Sequence, residues 1–126
     1  MRYVAALLVL LVASSHVAFL VLEMFYWTRP LGQQVFGTSP EFAQASAVLA
    51  ANQGLYNGFL AAGLLWGLVT GRRDVRAFFL ACVIVAGVYG GLTARMSILY
   101  VQAVPAVAAL LAVLTVRPVR QREHLL

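Results

Sequence analysis

The 126-residue chain is 63% hydrophobic and only 10% charged, which leaves too little polar surface to cover a soluble fold. Nine arginines against four acids give a net charge of +5, yet they sit in short clusters between apolar runs, a pattern of membrane topology that argues against nucleic acid as a partner. The single cysteine, Cys82, lies deep in an apolar run and excludes an intramolecular disulfide or a CxxC metal site.

Crossing ~30 Å of hydrocarbon takes roughly 20 helical residues, and four apolar runs have that length. The expected fold is therefore one all-α domain over residues 1–126, an integral membrane bundle of four transmembrane helices. The first runs from about Tyr3 to Phe25. Arg2 followed by VAALLVLLV resembles a signal peptide, but the apolar run continues through HVAFLVLEMF, too long for a cleaved segment. His16 and Glu23, seven residues apart, share a face of this helix, one near mid-depth and one near the end. The following stretch, YWTRPLGQQVFGTSPEF, carries Tyr26, Trp27, Phe36 and Phe42 and is expected to lie along the interface as a lid.

The second span is expected from about Ala43 to Thr70. Ser39, Pro40 and Glu41 supply a cap, a first-turn proline and an acid, so the helix starts before its apolar part. Inside it stands NQGLYNG. At 100° per residue Asn52, Tyr56, Gly63 and Gly67 share one arc, which Gln53 and Asn57 extend to one side. That arc predicts tight packing at the glycine end and an outward-opening polar pocket at the other. Gly71 can end the helix. Asp74 can cap a third span from about Val75 to Ala94, along which Gly87, Gly91 and Arg95 form one stripe. A single helix over residues 77–116 would be about 60 Å long, so a turn is expected near Arg95 to Leu99. A fourth span then runs from about Tyr100 to Val116, bringing Tyr100 and Gln102 to the level of Arg95, and Pro118 stops it.

With alternating spans, Arg2, Arg72, Arg73, Arg76, Arg117, Arg120 and Arg122 share one side and leave Arg29 and Arg95 opposite, which puts both termini in the cytoplasm. The tail RPVRQREHLL reads as an anchor to anionic membrane lipid. Glu23 and Arg95 at similar depth can form a salt bridge. Alternatively, Glu23 and His16 can form a proton donor and acceptor couple, and the sequence does not choose between them.

Packing explains much of the same pattern. Interhelical hydrogen bonds account for carboxamides, snorkelling for charges near helix ends, and a structural hydrogen bond for His16. The GxxxG spacings at Gly54/Gly58, Gly63/Gly67 and Gly87/Gly91 serve helix contacts within the chain or in a homo-oligomer. His16, Glu23 and His124 have no metal-ligand spacing, and no nucleotide or hydrolase motif is present, so neither metal nor cofactor is expected.

The segments LEMFYW at 22–27, VF at 35–36 and above all NQGLYNGFLAAGLLWG at 52–67 resemble the small integral membrane proteins of domain-of-unknown-function family 1304. The resemblance covers nearly the whole chain and implies a bacterial-type four-helix protein of the plasma (inner) membrane, with no activity to transfer. From the residues themselves, the leading expectation is a site for a lipid-like or amphipathic small molecule. It would be lined by Glu23, Trp27, Asn52, Gln53, Tyr56, Asn57 and Arg95. The rivals are a membrane-embedded enzyme using His16 and Glu23 as acid and base on an isoprenoid or lipid, and a small transporter or channel subunit.

Overall fold

The structure, a computed structural model, describes residues 1–117. The readings of Pro118 as a helix stop and of Arg120, Arg122 and His124 as part of a lipid-binding tail lie outside the described residues.

The described chain is helical throughout its ordered elements: α1 (Arg2–Phe25), α2 (Pro30–Phe36), α3 (Pro40–Val69), α4 (Arg73–Thr93) and α5 (Met96–Thr115). Three of these, α1, α4 and α5, are long and apolar enough to cross a membrane. Helix α3 is longer, at 30 residues, but Gln44, Ser46, Asn52, Gln53 and Asn57 dilute its apolar content. The expected second span is thus a long helix that does not declare itself a span by composition.

Local chemistry explains the boundaries. Ser39 Oγ accepts from the Phe42 amide at 3.1 Å, so α3 opens with the expected cap and with Pro40 in its first turn. Helix α2, inside the stretch expected to lie flat as a lid, has the same kind of punctuation. Pro30 opens it, and Gly37 closes it at φ 65°, a left-handed conformation in which glycine has no Cβ to strain. Asp74 does not cap α4. Its carboxylate instead forms an exposed ion pair with Arg72 at 2.6 Å, because the chelating Arg72 side chain lies two residues away on the same turn.

The turn between α4 and α5 is tighter than the expected Arg95 to Leu99. It consists of Ala94 and an extended Arg95, and Ser97, Ile98 and Leu99 are already helical. The glycine stripe makes this return possible. A Cβ at Gly91 would stand 2.7 Å from Leu99 Cβ, and one at Gly87 would stand 2.8 Å from the Ala103 amide nitrogen. Helix α5 is not regular: Leu99–Ala103 is a π-helical turn, closed by the Val104 amide on the Leu99 carbonyl. Pro105 follows immediately. Proline in a helix lacks its N–H and clashes with the carbonyl four residues back, and the wider π turn relieves that clash.

Helix α1 packs against α3 and α5, and α4 packs against α5 and α3. Their shared core is built from small and branched residues: Ala5, Val9, Val12 and Ala13 of α1, Leu64 of α3, Leu80 and Val83 of α4, and Ala106, Ala109, Ala112 and Val113 of α5. These all lie toward the end that holds the N-terminus. The Arg73 guanidinium donates to the Leu114 carbonyl there, tying the start of α4 to the end of α5. The opposite end carries Glu23, Trp27, α2 and Arg95, and there the helices border a half-open cavity instead of a core.

Candidate functional site

At the α2 end the chain forms a half-open cavity of about 580 Å³, within the range of small-molecule sites. Its apolar wall comes from Phe19 of α1, Val35 and Phe36 of α2, Phe42 of α3, and Ile98 and Val101 of α5. Its polar wall comes from Glu23, Thr38, Arg95, Ser97 and Gln102.

Each polar group arrives by an identifiable local device. Gly54 of α3 admits α1 closely, since a Cβ there would stand 3.0 Å from Glu23 Cβ. That approach sets the buried Asn57 amide against the Glu23 carboxylate, with Nδ2 donating at 3.2 and 3.4 Å to its two oxygens. The tight α4–α5 turn presents Arg95, whose Nη2 donates to the Phe36 carbonyl at 2.8 Å. A side chain from that turn thereby holds the last residue of α2. Trp27 secures the other side of the lid: its Nε1 donates to Ser46 Oγ at 3.0 Å, and its ring lies 4.9 Å from that of Phe36. Gly32 is buried beneath, where a Cβ would come within 2.0 Å of the Tyr26 carbonyl oxygen. Thr38 Oγ1 is buried on the cavity wall without a hydrogen-bond partner.

Of the residues expected to form the site, Glu23, Trp27 and Arg95 line this cavity, and Asn57 stands behind it as the donor to Glu23. Asn52, Gln53 and Tyr56 do not converge there. They are exposed on the outer side of α3, with Tyr56 edge-on to Phe59. The inward stripe of α3 is Ala50, Gly54, Asn57, Ala61 and Leu64, a rotation away from the arc drawn through Asn52 and Tyr56. Small residues and one amide let α3 lie flat on α1, whereas the bulkier Tyr56 would hold it off.

Neither expected pairing of Glu23 forms. Among the described residues Arg72–Asp74 is the sole ion pair. Glu23 and Arg95 face the same cavity, each held by another partner. His16 is fully buried in the α1 interface, with Nδ1 on the Val12 carbonyl at 2.8 Å and its ring edge-on to Phe19. It is absent from the cavity wall, so the acid and base couple is not assembled. Among the described residues no three His, Cys, Asp or Glu side chains group as metal ligands. The glycine-rich faces are covered within the chain: Gly54 and Gly58 by α1, Gly63 and Gly67 by α4, Gly87 and Gly91 by α5.

Sequence reasoning missed Thr38, Ser97, Gln102 as a wall residue, and α2 as an element. Pro30 and Gly37, seven residues apart, were a readable start and stop for α2.

A family model described as "Protein of unknown function (DUF1304)" matches residues 10–114. The chain is also similar to "Uncharacterized protein YpaA" of Lactococcus lactis subsp. lactis (strain IL1403), with 29% identity over 116 residues, 89% of this chain and 98% of that protein. No solved structure matches it.

Proposed function

The chain belongs to the DUF1304 family, and from its geometry we propose that it is a four-span protein of the plasma membrane that holds a lipid-like or amphipathic small molecule in the cavity under α2. The observation that carries this reading is the cavity itself. Apolar and charged walls meet in one space at one end of the helices, under a short helix pinned by Arg95 and Trp27.

For the fourth span, the support is the packing of α3 along α1. At 1.5 Å per residue its 30 residues reach about 45 Å, long enough to cross beside α1. For orientation, the support is the segregation of arginines, which by the positive-inside rule favours cytoplasmic termini and a cavity in the outer half.

The test is retention of a small molecule by the full chain extracted with its native lipids, read by native mass spectrometry beside Val101→Trp, which fills the cavity from α5. A defined adduct on the wild type that the variant loses supports the site. Equal adduct patterns on two equally folded proteins reject it.

A further inference from the structure

We propose that the cavity selects an amphiphile whose headgroup carries both a primary ammonium and a phosphate, with the ammonium against Glu23 and the phosphate against Arg95. This inference rests on reading the cavity as an amphiphile site and adds the chemistry of the head.

The cavity wall holds one acid and one base that do not neutralise each other. Glu23 receives a single amide nitrogen, from Asn57, whereas a carboxylate offers about four lone-pair sites. A carboxylate within the membrane zone with most of its acceptor capacity unused calls for a cationic donor. An ammonium supplies three N–H groups and the missing charge. Arg95 commits Nη2 to the Phe36 carbonyl, and the rest of its fork can take an oxyanion, the ligand geometry that guanidinium suits best. Thr38 Oγ1, buried on the same wall without a partner, is a hydroxyl that can donate to a phosphate oxygen. Ser97 and Gln102 flank the space.

The same wall disfavours the neighbouring headgroup classes. A purely anionic head sets like charge toward Glu23. A trimethylated ammonium brings charge but no N–H. A glycerol head leaves both Glu23 and Arg95 without a counter-charge. The apolar wall of Phe19, Val35, Ile98 and Val101 takes the first methylenes of the chains, so the partner is a lipid and not the free head.

The experiment offers the delipidated full chain in detergent micelles four lipids of matched acyl chains and counts one-to-one adducts by native mass spectrometry. The probes are phosphatidylethanolamine, phosphatidylglycerol, phosphatidylcholine and diacylglycerol, with free phosphoethanolamine as competitor. The wild type should favour phosphatidylethanolamine over each of the others by roughly tenfold, the scale of one charge-assisted hydrogen bond. Glu23→Gln should erase the preference over phosphatidylcholine, and Arg95→Gln the preference over diacylglycerol. Equal binding of all four lipids by the wild type overturns the proposal without relying on any variant. So does displacement of the lipid by an equal concentration of free phosphoethanolamine. Two failures stay distinct: adducts blind to headgroup but lost in Val101→Trp overturn only this inference, while no one-to-one adduct of any lipid overturns the amphiphile site as well.

Discussion

Asn57 and its neighbours in NQGLYNG look alike in sequence and differ in consequence. Asn57 is 5% exposed and gives Glu23 its donor, so Asn57→Leu leaves a half-buried carboxylate without a partner. The expected loss is about 1–3 kcal/mol, read as a lower midpoint of thermal unfolding in detergent. Asn52→Leu and Gln53→Leu change exposed side chains and should stay within about 0.5 kcal/mol of the parent. If all three variants lose stability equally, the assignment of Asn57 to Glu23 is wrong. The density of polar groups in this stretch was legible, but which of them turn inward was not. In water an amphipathic helix reveals its buried side, because its apolar face turns inward. In lipid both sides can be apolar, and the stripe that packs on a neighbour is marked by small residues instead, here Ala50, Gly54 and Ala61. His16 shows the same limit: its commitment to the Val12 carbonyl was not legible.

At the level of elements, the glycines divide by what stands opposite them. Gly87 faces the backbone of Ala103, which cannot yield, whereas Gly90 faces only side-chain atoms of Ile98, with Cγ2 at 3.0 Å, a contact that a few tenths of an ångström relieves. Gly87→Ala should therefore push α4 and α5 apart and destabilise by about 1–3 kcal/mol despite a better helix propensity. Gly90→Ala should come out near neutral, since about 1 kcal/mol of propensity offsets the adjustment of Ile98. Paired thermal melts in one detergent decide it, and equal losses would mean that the hairpin is looser than described. Helices α1, α4 and α5 were readable from apolar length, and the start of α3 from Ser39–Pro40–Glu41. The π turn was not. Its cause, Pro105, is plain in the sequence, but whether a helix answers a proline by kinking, stopping or widening depends on the neighbour it must keep touching. Here Gly87 and Gly91 hold the returning helix in place.

For the molecule as a whole, a core rich in alanine and valine closes one end, and a half-open space with both signs of charge lies at the other. Under the proposed topology the two ends face different compartments. Cys82 is the chain's only cysteine, so a Cys82→Ser background permits single-cysteine mapping in intact cells. Cysteine at Gln34 should react with a membrane-impermeant maleimide, and cysteine at Arg73 should react only after the membrane is opened. The reverse pattern would invert the proposed orientation and put the cavity mouth in the cytoplasm. The lid itself is fastened by an asymmetric knot. Arg95 grips a main-chain carbonyl of Phe36, an atom that every amino acid carries, so substitution at position 36 can spoil the ring contact with Trp27 while leaving the grip intact. Only a change at Arg95 unties it. One vulnerability of the lid thus sits 59 residues away, in a two-residue turn that is no part of the lid, and a lineage could vary the side chain at position 36 while that one arginine kept its grip.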